Sequence, residues 1–351
     1  MWRRGRAKPV FPRVMIPAMS KPFPILYIAE ADAETAILSS GVLAYLVASV
    51  PNAVFTVVGS RASAPLFADL PGLERLIVLE REGRLDWIGL WNKLRGTEWG
   101  LIVDQRGSQI SGRLRRQKRA VRAAPESTED PVHAVFEAAR VLQLDETPSP
   151  HLFFGDETRA AADSLIGPVD GPILAVGPGV DWIGKRWPAE RFAKVAAALL
   201  GDGGPLAGGR LLIVGDQADR DAAHTIRFAV HRHRVIEAQG RLTPLQTAAA
   251  LSRADLYLGA DSLWTQLAVA AGVPSVAVFG PSDETRVGPW QGRSVRGPRA
   301  LEDFRAIDPS LNQHIQHMMD LPVEPVLQAA RDLLAQRQTE TPKAETADEH
   351  L

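Results

Sequence analysis

The chain has no cysteine among its 351 residues. That excludes disulfides, thiolate metal sites and cysteine nucleophiles. No apolar run approaches the roughly 20 residues that a membrane-spanning helix needs. Net charge is nearly absent too, since 40 Lys and Arg against 41 Asp and Glu leave −1 at pH 7. Bulk electrostatics therefore do not point to nucleic acid, and any basic surface must be local. The eight histidines are scattered. Only His231 with His233, and His314 with His317, are close enough in sequence to suggest a shared metal. The run His231–Arg232–His233–Arg234 reads better as a solvated helix end. The opening MWRRGRAKPVFPRVMIPAMS is basic without a long apolar core, so it does not read as a secretory signal, and Met15 or Met19 offers an alternative start. These absences imply a cytoplasmic chain with a basic flexible N-terminus (1–22) and a polar, disordered tail (336–351).

The most informative stretch is 259–290, GADSLWTQLAVAAGVPSVAVFGPSDETRVGPW. Asp261 and Ser262 end an apolar run over 254–258 and open a helix over about 263–271, which Gly272 and Pro274 terminate. A β-branched strand, 275–279, then ends at Gly280–Pro281. Such a βαβ unit sets a helix N-terminus at the carboxyl edge of a sheet. Unpaired N–H groups and the positive end of the helix dipole suit a phosphate there. A helix capped by Asp261 or Ser262 with no ligand satisfies the same pattern.

Along the chain, strands and helices alternate, which predicts right-handed crossovers and parallel sheets. Strands are expected at 24–28, 54–59, 76–79 and 101–104, with helices at 35–50, 61–70 and 85–94. A basic segment, 113–122, follows, then a helix at 132–142. The Pro-, Asp- and Gly-rich region 144–172 suits a link between domains. A second set begins with strand 173–176 and helix 189–200. Strand 210–214, helix 219–230, a short strand at 235–237, helix 244–252 and strand 255–258 lead into the segment above, and a helix at 323–336 closes the set. The expected architecture is α/β, with two Rossmann-like domains (23–165 and 166–335) facing across a cleft and binding ligands at the carboxyl edges of both sheets.

Several motifs resemble one family. VGPGVDWIGKRWPAERFAKVAAAL (176–199) is similar to the segment of glycosyltransferase family 9 in which a Pro-Gly pair precedes Lys–(Arg/His)–Trp–Pro and a helix. GRLTPLQTAAALSRADLYLGADS and GVPSVAVFGPSDETRVGPW resemble its next two blocks, and MMDLPVEPVLQAARDLL its closing helix. The resemblance spans roughly 24–334 and is strongest in the C-terminal half. The family comprises the ADP-heptose:lipopolysaccharide heptosyltransferases and their relatives. It implies a GT-B fold, a nucleotide-sugar donor such as ADP-heptose as substrate, no cofactor, no metal, and inversion at the anomeric carbon.

Under that resemblance the second domain holds the donor. A metal-free enzyme must offset a diphosphate with cations and N–H donors. Lys185, in a loop just before the helix that starts near Pro188, meets the diphosphate, and the helix after Asp261–Ser262 approaches it from another side. Arg186 assists, or lays its stem over Trp187. Gly177–Pro178–Gly179 admits the ligand closely, or is a plain tight turn. Where the family reads Asp-Thr-Gly-x-x-His, this chain reads Asp261–Ser262–Leu263–Trp264–Thr265–Gln266. Ser262 keeps a hydroxyl, Leu263 replaces the glycine, and Gln266 replaces the imidazole with an amide that can also donate.

In the first domain the family's catalytic aspartate falls in register on Thr35, with Glu34 at the preceding glycine position. Inverting transfer needs a carboxylate to take the proton of the acceptor hydroxyl. Glu34 is the candidate base and Asp32 the runner-up; both also suit the start of a helix. The run Arg113–Leu114–Arg115–Arg116–Gln117–Lys118–Arg119 is the candidate contact for an anionic acceptor. A lipopolysaccharide core fits, as does a peripheral inner-membrane surface that Arg3, Arg4 and Arg6 also approach. A solvated helix face explains the run equally. Trp87 and Trp91 suit one helix face in the core rather than sugar stacking. The reading is a heptosyltransferase acting on a lipopolysaccharide-core-like acceptor. The alternatives are a catalytically degenerate GT-B protein that binds sugar nucleotide or glycan, and a GT-B enzyme of another kind, such as a sugar-nucleotide epimerase or a non-heptose transferase.

Overall fold

The computed structural model describes residues 21–340 except 82 and 124–130. The basic arm with Arg3, Arg4 and Arg6, and the tail from 341, lie outside the described residues. The rest divides into two compact units. The first holds the described residues through 123 together with Ala134–Phe153. The second holds 131–133 and everything from 154, so the division falls earlier than the expected 165.

The first unit contains strands β1 (Phe23–Ile28), β2 (Ala53–Ser60), β3 (Leu73–Leu79), β4 (Trp99–Asp104) and β5 (Arg116–Val121). Its helices are α1 (Ala33–Leu38), α2 (Ser40–Ser49), α3 (Arg84–Leu94) and α4 (Ala134–Arg140). All strand pairs are parallel, in the order β3-β2-β1-β4-β5. Ile25 to Ile28 in β1 are fully buried, as a central strand covered on both faces should be. Trp87 and Trp91 pack against the cluster formed by Leu90, Leu94, Trp99 and Ile102, as their helical spacing predicted.

Three expectations for this unit change. The helix at 35–50 begins earlier and is interrupted at Ser39, whose carbonyl accepts from the buried Tyr27 hydroxyl at 3.2 Å. The helix at 61–70 shrinks to a 3₁₀ turn at Ala64–Phe67. Ser60 explains this: its hydroxyl oxygen accepts from the N–H groups of Ala62 and Ser63, drawing that backbone into a turn that competes with helix. The basic segment is not a helix face. It forms a 3₁₀ turn (Gln109–Arg113) and the edge strand β5, where Gln117, Lys118 and Arg119 are exposed.

The second unit contains β6 (Ile173–Gly177), β7 (Arg210–Ile213), β8 (Val235–Glu237), β9 (Leu256–Ala260), β10 (Ser275–Phe279) and β11 (Arg293–Arg296). Its helices are α5 (Asp156–Ile166), α6 (Ala189–Leu200), α7 (Arg220–Ile226), α8 (Pro244–Leu251), α9 (Leu263–Ala270), α10 (Glu284–Val287), α11 (Leu301–Ile307) and α12 (Val323–Glu340). The six strands are parallel in the order β11-β10-β9-β6-β7-β8. The core runs between this sheet and α6 and α12, through Leu174, Val176, Phe192, Val195, Leu256, Val276 and Val326. The presumed link at 144–172 carries α5, which packs on α8 and buries Thr158, Ala162 and Ile166. The closing helix runs to Glu340 rather than 336, so its last turn is not part of a disordered tail.

Each sheet reverses its direction of growth once. In the first, β1 leads outward to β2 and β3, and β4 leads the other way to β5. In the second, β6 leads to β7 and β8, and β9 leads to β10 and β11. Loops leaving such a neighbouring pair part to opposite faces and open a crevice at the carboxyl edge. The β1/β4 and β6/β9 edges are therefore where ligands are expected.

Candidate active site

Lys185 and Asp261 meet at the β6/β9 edge. The loop after β6 ends in a 3₁₀ turn, Ile183–Lys185, before Pro188 opens α6. The Lys185 Nζ lies 3.1 Å from Oδ2 of Asp261 and 3.4 Å from Oδ1 of Asp181. Asp261 is only 2% exposed, and its Oδ1 has no hydrogen-bond partner. Two segments far apart in sequence thus converge on one ion pair, with Asp261 buried and Lys185 partly so. Arg186 is exposed. Trp187 is buried against Phe192, and its indole N–H donates to the Leu321 carbonyl at 3.0 Å.

Ser262 occupies the N-cap position of α9, but its side chain makes no capping hydrogen bond. Its hydroxyl lies 3.4 Å from the Ala260 carbonyl instead. The turn is held by Thr265, whose hydroxyl donates to the same carbonyl at 2.6 Å. The reading in which Asp261 or Ser262 merely caps the helix therefore fails: Asp261 turns to Lys185, and Ser262 turns back to β9. The Thr265 N–H bonds to the Ser262 carbonyl at 3.1 Å, and those of Leu263 and Trp264 have no acceptor within the helix. Leu263, partly buried, stands in the first turn. Gln266 departs from expectation. Fully buried, it donates its amide N–H to the Val287 carbonyl at 2.8 Å, so its donor serves α10 rather than the α9 start.

The glycines have internal causes. A Cβ on Gly177 would lie 2.2 Å from the Tyr257 hydroxyl, and one on Gly179 would lie 2.1 Å from Oδ2 of Asp219. Their smallness makes room for a tyrosine and a carboxylate of the chain itself. Pro178 lies buried between them. Asp219 was not anticipated. Its Oδ2 accepts from the Asp216 N–H at 2.9 Å, and burial pushes its carboxyl above the ordinary carboxylate range.

At the β1/β4 edge, Asp32 is exposed and acts as the N-cap of α1, accepting from the Thr35 N–H at 3.0 Å. Glu34 stands in the first turn, partly exposed. Sequence reasoning missed Glu30, which lies two residues past the buried end of β1. It is paired with Arg122, which also holds Glu137. Burial pushes the Glu30 carboxyl up, while Arg122 pulls it down. Asp104, fully buried at the end of β4, accepts from the Ser108 hydroxyl at 2.7 Å. The signal available in the sequence was position: an acid at or just past the end of each of the two strands that flank the switch point. Of the basic run, Arg113 and Arg115 are exposed. Arg116 instead donates to the Gly112 and Leu114 carbonyls at 3.0 and 2.7 Å, so its guanidinium braces the turn.

Among the described residues no group of three or more His, Asp or Glu side chains is arranged to hold a metal ion, and no helix is long and apolar enough to cross a membrane. Two parallel, doubly wound sheets, each with polar residues at its switch point, define a protein of two Rossmann-like units. The chain belongs to glycosyltransferase family 9 (heptosyltransferase), whose family model matches residues 98–299. Among solved structures it is similar to a family 9 glycosyl transferase from Veillonella parvula, at 20% identity and a TM-score of 0.67, covering 90% of this chain and 97% of that one. It is similar to the E. coli ADP-heptose lipopolysaccharide heptosyltransferase II at 18% identity and a TM-score of 0.68, covering 90% and 100%. The E. coli heptosyltransferase WaaC, solved with ADP, aligns at 14% identity with a TM-score of 0.62, covering 89% and 100%. No curated protein sequence matches the chain. The fold is GT-B.

Proposed function

We propose that this family 9 glycosyltransferase transfers a heptose or a related sugar from a nucleoside-diphosphate donor to an anionic, lipopolysaccharide-core-like acceptor. One observation carries the reading: the ammonium of Lys185 is held by the buried carboxylate that immediately precedes the uncapped start of α9. A cation and a set of N–H donors at one sheet edge suit a diphosphate without a metal ion. The buried Oδ1 of Asp261, which has no donor, could accept from a group brought against it as the ligand binds. In the transfer, the acceptor oxygen bonds to the anomeric carbon from the face opposite the leaving group. The bond to the diphosphate breaks, the nucleoside diphosphate departs, and Glu34 takes the acceptor proton. The exposed Arg113 and Arg115 attract an anionic glycolipid, consistent with action at the inner face of the cytoplasmic membrane.

Lys185→Ala tests the reading. Calorimetry with ADP and UDP should show strong binding loss, and unchanged affinity removes the lysine from the donor site. A second reading, a sugar-nucleotide binder without catalysis, is favoured by the commitment of Asp32 to capping and by Thr35 at the aspartate position. Single-turnover assays with ADP- and UDP-linked sugars decide between them, because any glycosidic product rules out the binder.

A further inference from the structure

The turn that carries Lys185 has no regular secondary structure on its N-terminal side, yet its lysine is aimed within 3.1 Å of a buried partner. Something other than helix or strand must fix it. Trp182 precedes the turn, and its carbonyl accepts from the Lys185 N–H at 3.1 Å. The indole lies over Gly184, so closely that a Cβ there would sit 2.3 Å from two of its ring carbons. The indole also meets the His317 imidazole, with ring centroids 5.7 Å apart, and its N–H donates to the Gln313 carbonyl at 2.8 Å.

The supporting segment is itself pinned. Asp308, fully buried, accepts from the Gln313 N–H at 2.8 Å. His317 is 1% exposed and packs edge-on against Phe304. Gln316 donates to the Arg186 carbonyl at 3.3 Å, and Arg191 to the Met319 carbonyl at 2.7 Å. Residues 308–321 therefore grip the lysine-bearing loop from Trp182 to the start of α6.

We propose that Trp182 is the positioning residue for Lys185: packed against Gly184 and His317 and bonded to the Gln313 carbonyl, it fixes the turn that directs the ammonium to the donor diphosphate. This rests on the donor-site reading of Lys185. Losing a single indole N–H bond frees the turn without opening the hydrophobic core, so the effect falls on ligand affinity rather than on folding.

A double-mutant cycle tests it, with ADP and UDP as calorimetric probes and Tm as a control. Trp182→Phe should weaken the preferred nucleotide about tenfold, and should add almost nothing in the Lys185→Ala background. A donor KM rise with little change in kcat should accompany it. Gly184→Ala, whose methyl takes the place of the indole, should reproduce the loss and stands in if Trp182→Phe does not fold. If Lys185→Ala binds as the wild type does, the donor reading itself falls. If Lys185→Ala weakens binding but Trp182→Phe does not, or if their losses multiply in the double variant, only the positioning role of Trp182 is overturned.

Discussion

Oδ2 of Asp261 faces the Lys185 ammonium at 3.1 Å, while Oδ1 of the same buried carboxylate meets no donor. The pair is unequal, because Lys185 also reaches Asp181 and keeps some solvent, whereas Asp261 has neither. Removing the lysine strands a buried charge; removing the carboxylate's charge does not. Lys185→Ala should cost about 3 kcal/mol of stability in urea unfolding, and Asp261→Asn clearly less. The double variant should recover most of the lysine loss. A larger loss from Asp261→Asn than from Lys185→Ala would show that the burden of burial lies elsewhere.

Asp32 and Glu34, two residues apart, should separate by assay. Asp32→Ala loses a helix cap and should cost about 1 kcal/mol, with turnover changed only a few-fold. Glu34→Gln should lower single-turnover rates by about 100-fold and leave nucleotide affinity intact. A fully active Glu34→Gln enzyme passes the base role to another acid of that edge, and Glu30 is then the first to substitute.

His317 should make stability pH-dependent. Burial holds its imidazole below the ordinary value of 6.5, and Arg299 pushes it the same way, against smaller upward pulls from Asp308 and Asp320. In the pH range between the folded and ordinary values, the unfolded chain binds more protons than the folded one. Stability is therefore complete above about 6.5 and is lost as pH falls through the lowered folded value. Thermal unfolding from pH 8 to pH 5 should show a steeper decline for the wild type than for His317→Gln. Parallel declines would remove this histidine as the cause.

Much of the second unit was legible because its signals are local. Asp261–Ser262 before an apolar helix, and Gly272 and Pro274 after it, each act within a few residues, and the loop lysine lies beside them. Hydrogen bonds between distant segments were not legible. No local pattern says that Gln266 spends its amide on Val287, that Gly179 yields to Asp219, or that Trp182 leans on His317. In the first unit the family register drew attention to Glu34 and Asp32. Glu30 escaped because its partner Arg122, which also holds Glu137, comes from far along the chain. The 61–70 helix failed for a local reason that was readable in principle, a serine pair able to bond its own backbone.

Three of the four sheet edges, at β5, β8 and β11, discourage a neighbour. β5 offers the exposed Lys118 and Arg119, β11 offers Arg293, and β8 is three residues long. An incoming strand from a second molecule would bring the same cations against these rims, or find too little backbone to zip along. Crowded solutions of this enzyme should accordingly resist fibril growth from those rims, and neutralising the arginines and lysine there would remove that safeguard before it disturbed the interior.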